Sequence, residues 1–301
     1  MASDRRRLAG VVGCATVADM RSGMWLGVLA FVLLLGGCKR GDPGPKAPGE
    51  ALVHATELAR GMGRYDLIAW WATDALLAAK TVDPTALRGW LVMPGSTATG
   101  EARMIGEVAG GELGVVASVG CDVSAGPTSC VVAREFAARP LTAEEQTMLR
   151  AIETAEADPL LVRAQESYNK IVLRAADYGL AAGWIVYIVA STTDPEVIPV
   201  GRHFRFDVSA DGRRVLGRRA SHRGVIMARR SVEGGTTAAV MSSAVFDAQP
   251  SEFQMYVSIV WRIAVGMIGC DGSLWMVEGL KVERLEAARE TPVKCVDPWR
   301  E

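Results

Sequence analysis

Residues 201–220 read GRHFRFDVSADGRRVLGRRA, and this stretch predicts a β-hairpin. Its first eight residues include the aromatic and β-branched side chains that a pleated strand accepts. Asp211-Gly212 follows, and an Asp-Gly pair supplies the positive φ angles of a type I′ turn between antiparallel strands. A two-residue turn at this point would place His203 opposite Ala220. A second pair, Asp271-Gly272, lies between two further strand-like runs and predicts another hairpin.

The strand pattern continues outward from this hairpin toward the N-terminus. Strand-like composition recurs at residues 168–175 and 183–191. Four short strands separated by glycine-rich turns are predicted between residues 88 and 137. These runs indicate a sheet built mainly from antiparallel neighbours.

Two segments have helical patterns instead. From Glu50 to Lys80 apolar residues recur at mixed i+3 and i+4 spacings, and Gly61 and Gly63 are expected to divide this segment into two helices. Residues 142–145 read TAEE, a capping box that predicts a helix ending near Ala157. Helices, then mixed elements, then antiparallel strands are typical of an α+β fold.

The predicted domain organisation follows from that order of elements. Residues 51–160 are expected to form a helical and mixed segment. Residues 161–301 are expected to form an antiparallel β-rich segment, packed with the preceding one as a single globular unit. Trp70 and Trp71 are expected to belong to the core and not to a ligand platform.

The first forty residues indicate export. Met24–Leu35 reads MWLGVLAFVLLL, twelve uncharged residues preceded by Arg21 and followed by Gly36-Gly37-Cys38. A basic residue, a short apolar run and small residues before a cleavage point are typical of a secretory leader. The run falls short of the roughly 20 apolar residues that cross a bilayer as a helix. Residues 1–37 are therefore predicted to be a leader that is removed, against the alternative of a transmembrane anchor.

Leu35–Cys38 resembles the lipobox of bacterial lipoproteins, in which a cysteine receives lipid and becomes the first residue of the mature chain. The resemblance implies lipidation of Cys38, and stable anchoring requires more than one acyl chain. The alternative is a plain secretory leader with an incidental cysteine. Met20 is the expected start of translation, because residues 1–19 would place the apolar run unusually far from the N-terminus. Residues 38–50, rich in Pro and Gly, are predicted to form a flexible tether.

Four cysteines remain after removal of the leader and lipidation of Cys38, and they are Cys121, Cys130, Cys270 and Cys295. An even number in an oxidising compartment predicts two disulfides, for which three connectivities exist. Local pairing, Cys121–Cys130 and Cys270–Cys295, is preferred because the Gly126-Pro127 turn can bring the first two together. A zinc site is disfavoured, since the sequence has no CxxC and no histidine near these positions at ligand spacing.

The overall charge argues against nucleic acid as a partner. Residues 1–37 hold four Arg and two acidic residues, so the remaining chain has 29 Lys and Arg against 32 Asp and Glu. Proteins that bind nucleic acid usually carry a basic surplus instead.

Arginine is concentrated between residues 202 and 230. Nine arginines are opposed there by only two aspartates, Asp207 and Asp211. Guanidinium groups bind phosphate and carboxylate through paired hydrogen bonds. The candidate anion-binding residues on the predicted hairpin are Arg213, Arg214, Arg218 and Arg219. A solvated arginine-rich strand face is the preferred interpretation, and the functional hypothesis is that these residues bind anionic lipid or an envelope polyanion.

His203 and His222 offer a different hypothesis. The predicted hairpin would bring the two histidines together, and with Asp207 they form a candidate acid/base or weak metal site. The preferred interpretation is that both are satisfied or solvated histidines without a chemical role. The sequence has no HExxH, GxSxG or P-loop motif and no GxGxxG entering a helix, and no cofactor is predicted. Residues 207–212 also match the start of a calcium loop. Arg218 stands where that loop requires a bidentate Glu, so the hairpin is preferred.

Several stretches resemble an uncharacterised family of proteobacterial exported proteins. The resembling pieces are Tyr65-Asp66, Trp70–Asp74, Leu141–Glu145, Tyr168–Leu173, Gly201–Gly212 and Leu274–Gly279. They span most of the chain after the leader and imply a shared fold. The family has no assigned function, so the resemblance implies nothing chemical.

These features predict a lipid-anchored protein of the bacterial cell envelope, facing the periplasm or in the outer membrane. Its globular part is expected to be a non-catalytic binding or structural module. The alternative is an envelope enzyme whose acid/base or metal site forms around His203 and His222.

Overall fold

The structure is a computed structural model that describes residues 49–93, 98–159, 161, 167–181, 183–222, 224, 226–232, 235–244, 246–286 and 295. The predicted leader, the lipidation site Cys38 and the tether up to residue 48 lie outside the described residues. Within the described ranges no helix is long and apolar enough to cross a membrane.

The described chain forms α1 (Glu50–Ala79), α2 (Ala143–Glu156) and α3 (Glu252–Trp261). The strands of the N-terminal half are β1 (Leu87–Met93), β2 (Thr99–Glu107), β3 (Leu113–Asp122), β4 (Val131–Val132) and β5 (Arg139–Pro140). Those that follow α2 are β6 (Tyr168–Arg174), β7 (Trp184–Ala190), β8 (Val197–Pro199), β9 (Phe204–Val208), β10 (Val215–Ala220), β11 (Met227–Arg229), β12 (Ser231–Val232), β13 (Gly235–Thr236) and β14 (Ala239–Ser243). After α3 come β15 (Ala264–Ile268), β16 (Leu274–Glu278) and β17 (Lys281–Glu286).

Most strands belong to three sheets. The first has the order β1-β2-β3-β4, with β5 added to β3, and the second has the order β10-β9-β7-β6. The third has the order β14-β15-β16-β17, and its β14 and β15 run parallel. The fold class predicted from the sequence, α+β with mainly antiparallel sheets, is confirmed.

Two hydrophobic layers hold the helices against the sheets. Along β7 the side chains alternate, so Tyr187 packs with α1 and α3 while Val186 packs with α2 on the opposite face. Ile68 of α1 and Phe253 of α3 are almost completely buried in the first layer. Burial of such a side chain contributes about 1.5–3 kcal/mol, so these layers account for much of the stability of the fold.

The prediction that Gly61 and Gly63 divide the first helical segment is wrong. α1 runs unbroken for 30 residues, and both glycines lie inside it. A Cβ atom at Gly61 would collide with the Tyr178 hydroxyl oxygen, and one at Gly63 would stand 2.9 Å from the Ile259 side chain. These glycines therefore permit close packing of α1 and do not interrupt it.

α3 is a helix in a segment for which only strands are predicted. Ser251 is its N-cap, and the Ser251 N–H donates to Gln254 Oε1 at 3.0 Å, which completes a capping box. That box is the local signal for α3. The one capping box predicted from the sequence is confirmed, since Thr142 and Glu145 open α2 in the expected way.

The two neighbouring tryptophans of α1 differ in burial. Trp71 is buried, as expected of a core residue. The expectation is wrong for Trp70, which is 44% exposed and rests against Trp261 with 6.1 Å between the ring centroids. The difference arises because adjacent helical residues point to different sides of the helix.

Both Asp-Gly pairs lie in hairpin turns, but the turns are not of the predicted type I′. Only the glycines have positive φ angles, 74° at Gly212 and 82° at Gly272. In each turn the glycine N–H donates to the carbonyl three residues earlier, at 2.9 Å to Ser209 and 2.8 Å to Gly269. Both are therefore type I turns closed by a left-handed glycine, and they need more than two loop residues.

A β-bulge shifts the register between β9 and β10. Leu216 is the extra residue and has no partner on β9. His203 consequently lies opposite Ser221, whose N–H donates to the His203 carbonyl oxygen at 2.9 Å. The predicted pairing of His203 with Ala220 is wrong, because the extra residue Leu216 shifts the register by one position beyond the Val208–Val215 pair.

Disulfides join Cys121 to Cys130 and Cys270 to Cys295, which is the local pairing predicted. The first closes the loop after β3, where Gly126 has a φ of 88°. The second fixes residue 295 to the turn between β15 and β16. All four sulfur atoms are used in these bonds, which removes them as zinc ligands.

Candidate functional site at the β9–β10 hairpin

The base of the hairpin carries two arginines in one row across the second sheet. Arg205 of β9 lies opposite Arg219 of β10 on one side and opposite Tyr187 of β7 on the other. Residues opposite each other on neighbouring strands share a face of the sheet. All three side chains therefore lie on the face that α3 covers.

Glu252, the first residue of α3, lies between the two guanidinium groups. Its Oε1 is 3.3 Å from Arg205 Nη1, and its Oε2 is 3.3 Å from Arg219 Nη1. Arg205 Nε also donates to Asp207 at 2.9 Å, and Arg219 Nη2 donates to Asp247 at 2.7 Å. Burial alone would raise the pKa of Glu252, but Arg219 and Arg205 outweigh burial and hold that pKa below its ordinary value. We call these five residues the paired cluster.

Arg218 also has a carboxylate partner. Its Nη2 lies 3.0 Å from Asp158 Oδ2, just beyond the end of α2, and the Asp158 side chain is only 3% exposed. Arg218 and Arg219, two of the four candidate anion-binding residues, are thus paired with carboxylates from elsewhere in the chain. Their ion pairs attach the hairpin to α2 and α3.

The other two candidates, Arg213 and Arg214, are exposed at the tip of the hairpin. The Asp211 carboxylate accepts from Ser209 Oγ at 2.5 Å and from the Arg213 N–H at 3.1 Å. Arg150 of α2 donates to the Asp211 carbonyl oxygen at 3.1 Å. Among the described residues, neither Arg213 nor Arg214 forms an ion pair. We call Arg150, Arg213 and Arg214 the tip cluster.

An open groove of about 920 Å³ lies beside β10. Two continuous segments line it, Val215–Arg219 of β10 and residues 246–251 before α3, and Ala51 and Ala55 of α1 also border it. Binding sites for ligands usually have volumes of about 300–1,000 Å³. The groove is therefore large enough for a ligand or a short peptide.

The histidines do not form an accessible site. His203 and His222 are 0% and 5% exposed. His203 Nδ1 accepts from the Ala190 N–H at 3.1 Å, so the neutral ring carries its proton on Nε2, which then has no lone pair for a metal. Burial, with a smaller contribution from His222, lowers the pKa of His203 to about 3, and burial lowers the pKa of His222 to about 4.

The surroundings of His203 are aromatic. Its ring stacks on Phe253 with 6.0 Å between centroids and meets the Tyr256 ring edge-on at 5.8 Å. In the part of the chain that the structure describes, no group of three or more His, Cys, Asp or Glu side chains could hold a metal ion. The enzyme hypothesis around His203 and His222 gains no support from this geometry.

The carboxylates of the calcium-like stretch 207–212 already have partners. Asp207 is bound to Arg205, and Asp211 is bound to Ser209 and the Arg213 N–H. These contacts belong to a hairpin and leave the oxygens poorly placed for a cation.

Sequence reasoning misses Asp66, a buried carboxylate in the middle of α1. The Asp66 side chain accepts from Tyr256 Oη of α3 at 2.8 Å and from Asn169 Nδ2 of β6 at 2.9 Å. Burial raises the pKa of Asp66 above its ordinary value, although the hydrogen bonds from Tyr256 and Asn169 oppose the rise. No sequence motif indicates this site, because its three residues come from distant parts of the sequence.

Comparison of the chain with models of known protein families, with curated proteins and with solved structures gives no match in any of the three. The resemblance to proteobacterial exported proteins stays a resemblance.

Proposed function

We propose that the chain is a membrane-tethered lipoprotein of the bacterial cell envelope whose globular part binds and does not catalyse. Its tip cluster contacts anionic lipid or another envelope polyanion. The observation that carries this proposal is the contrast within one hairpin: Arg213 and Arg214 are exposed and unpaired, whereas Arg218 and Arg219 are held by carboxylates. Exposed guanidinium groups without a carboxylate partner are free to bind phosphate or carboxylate.

Membrane attachment is supported by the part of the sequence that precedes the folded region. The apolar run Met24–Leu35 and the small residues before Cys38 fit export and lipidation. Two disulfides are typical of a protein that folds in an oxidising compartment. Periplasm-facing and outer-membrane locations are both consistent with these features.

A non-catalytic role is supported by the state of the histidines. A general base at neutral pH needs access to substrate and a pKa near 7. His203 and His222 are buried, and their pKa values are lowered to about 3 and about 4. Buried histidines with lowered pKa values argue against the alternative, an enzyme that uses them as acid and base. They do not argue against a binding module.

Vesicle binding tests the tip cluster with two matched double variants. Protein starting at Lys39 and lacking lipid is mixed with anionic or neutral vesicles, and retention is measured against salt. Arg213→Gln/Arg214→Gln should lose about 2 kcal/mol of affinity for anionic vesicles, roughly 30-fold, because each basic residue near such a surface contributes about 1 kcal/mol. Arg218→Gln/Arg219→Gln removes the same number of charges from paired positions and should keep most of the binding. Equal loss in both doubles, or no binding by the wild type, contradicts the proposal.

Lipidation is tested separately through Cys38. Cys38→Ala should leave the protein unprocessed or released from the membrane, since the acyl chains can no longer be attached. Detergent partitioning and the intact mass of the purified protein measure both effects. A mature N-terminus without lipid in the wild type would refute the anchor.

A further inference from the structure

The first and second sheets meet edge to edge without pairing. β1 is the outer strand of the first sheet and β6 is the outer strand of the second, and in the described part of the chain no ladder joins them. Both strands nevertheless contribute to the same two hydrophobic layers, Val92 and Ile171 to one and Leu91 and Val172 to the other. β1 and β6 are therefore neighbours across a gap that α1 covers on one face and α2 on the other. We call this gap the seam.

Two residues of β6 direct main-chain polar groups into the seam. The Ser191 N–H donates to the Ser167 carbonyl oxygen at 3.3 Å, which makes these residues a hydrogen-bonded pair at the end of the β6–β7 ladder. Bonded and non-bonded pairs alternate along an antiparallel ladder. Counted from Ser167 in the β6–β7 register, the N–H and C=O groups of Lys170 and Val172 point away from β7.

Two residues of β1 do the same from the opposite side. The Val123 N–H donates to the Ala98 carbonyl oxygen at 2.9 Å, which fixes the bonded pairs between β2 and β3. Residues of β2 that bond to β3 cannot bond to β1, so the alternation carries over to the β1–β2 ladder. It leaves the N–H and C=O groups of Trp90 and Val92 pointing away from β2.

A small cavity lies in the seam beside the carboxylate of Asp66. Its lining includes Asp66 of α1, residues 90–92 of β1 and residues 170–172 of β6. The volume of about 10 Å³ is close to the lower limit for one water molecule. One Asp66 oxygen accepts from Asn169 and the other from Tyr256, so each oxygen keeps a further lone pair.

Water fits this lining better than a cation or an apolar atom does. Cavities that stay dry are lined by apolar groups, whereas this one has a carboxylate and the main-chain groups of two strand edges. A water molecule can donate to the oxygens and accept from the N–H groups, but a cation can use the oxygens only. The Lys170 ammonium could otherwise neutralise Asp66, but it lies 3.1 Å from Glu156 Oε1 instead.

We propose that this cavity binds one structural water molecule, which donates a hydrogen bond to Asp66 and links the main-chain edges of β1 and β6. The water joins the two sheets where their strands do not pair. The inference goes beyond the proposed function and is independent of it, because the seam lies between the helical layers and contains no residue of the tip cluster.

The direct test is a crystal structure of the full chain, from crystals with and without a rubidium chloride soak. The expected result is one peak of electron density within about 3.2 Å of an Asp66 oxygen and of a main-chain nitrogen or oxygen of β1 or β6. The peak should give no anomalous signal from rubidium. An empty cavity overturns the proposal. A rubidium peak overturns it too, since the site would then belong to a monovalent cation.

Two variants of the same shape test the seam in solution. Ala69 lines the cavity and is 4% exposed. Ala69→Thr fills the space with a hydroxyl that can replace the hydrogen bonds of the water, whereas Ala69→Val fills it with a methyl group that cannot. Because a buried polar group without a partner is costly, the unfolding equilibrium constant of Ala69→Val should be about tenfold larger than that of Ala69→Thr.

Equal stability of the two variants, or greater stability of Ala69→Val, overturns the proposal, since an apolar filling would then satisfy the cavity as well as a polar one. If neither variant folds, the electron density in the wild type decides.

Discussion

Two buried carboxylates, Glu252 at the start of α3 and Asp66 in the middle of α1, respond to burial in opposite ways. Their residues are 1% and 5% exposed. The pKa of Glu252 lies below its ordinary value, because Arg219 and Arg205 outweigh the effect of burial. The pKa of Asp66 lies above its ordinary value, because burial outweighs the hydrogen bonds from Tyr256 and Asn169.

The difference lies in the charge of the donors and not in the degree of burial. Guanidinium groups stabilise a carboxylate through full charges, whereas a phenol and an amide offer dipoles only. The paired cluster is consequently an electrostatic attachment between the hairpin and α3. The Asp66 site is a hydrogen-bonded junction among α1, α3 and β6. Substitutions at the two sites should therefore lower the free energy of unfolding by different amounts, and these losses should depend differently on pH.

The largest effect is expected for Glu252→Gln. The change leaves two guanidinium groups facing an uncharged amide, and breaking a buried ion pair in this way costs about 3 kcal/mol of stability. Asp207 and Asp247 still pair with the two arginines, so the loss should stay at the lower end of the roughly 3–5 kcal/mol that is usual for a broken buried ion pair. Chemical denaturation measures the change in the free energy of unfolding.

Glu107→Gln is the control for that change. Glu107 pairs with Arg88 on the surface, where the two side chains are 59% and 52% exposed. Exposed pairs contribute at most about 1 kcal/mol. Equal losses in Glu252→Gln and Glu107→Gln would mean that the paired cluster contributes no more than an ordinary surface ion pair.

A smaller loss is expected for Tyr256→Phe, which removes one donor from Asp66. A hydrogen bond to a charged group contributes about 1.5–3 kcal/mol, and the carboxylate has no replacement donor in this buried position. Tyr187→Phe is the matched control, because the Tyr187 hydroxyl is buried and has no hydrogen-bond partner among the described residues. The control should lose almost nothing. Comparable destabilisation by both changes would show that the lost hydrogen bond is not the cause.

The smallest expected effect concerns pH. The stability difference between the wild type and a variant should change with pH in opposite directions at the two sites. Asp66 has a raised pKa, so its contribution is full below pH 3.8 and lost as pH rises through the raised value. Glu252 has a lowered pKa, so its contribution is full above pH 4.5 and lost as pH falls through the lowered value. On acidification, wild type should therefore gain stability relative to Asp66→Asn and lose it relative to Glu252→Gln.

Across the pH range between the ordinary and the shifted pKa, the difference in unfolding free energy should change by about 1.4 kcal/mol per pH unit. The unfolding free energies are measured between about pH 3 and pH 7 and subtracted from those of the wild type. His203 and His222 also destabilise the fold on acidification, but they are present in all three proteins and cancel in the differences. Slopes of the same sign would remove the distinction between the two sites.

The features that could be predicted from sequence are those whose cause is local. The capping box of Thr142 and Glu145 involves residues three apart, and it starts α2 where the sequence indicates. The strands that become β6, β7 and β9 follow from local composition. The sequence also has a capping box at Ser251, but the aromatic and β-branched residues of α3 resemble those of a strand and obscure it.

The features that could not be predicted depend on residues far apart in the chain. Tyr256 and Asp66 are separated by 190 positions, and Arg219 and Glu252 by 33. A count of charges within one stretch therefore overestimated the free positive charge of the hairpin. The bulge at Leu216 has a similar origin, since it depends on how β10 fits its neighbours and not on a local motif.

The uninterrupted course of α1 has a mechanical consequence. The helix is about 45 Å long at 1.5 Å per residue, and buried side chains follow it from Leu52 to Leu76. It is also the first element after the predicted tether, so a load on the membrane anchor proposed above would enter the fold at Glu50. Unfolding from that end must then disrupt the buried packing of the helix, including the close approach of Gly61 to Tyr178 and of Gly63 to Ile259.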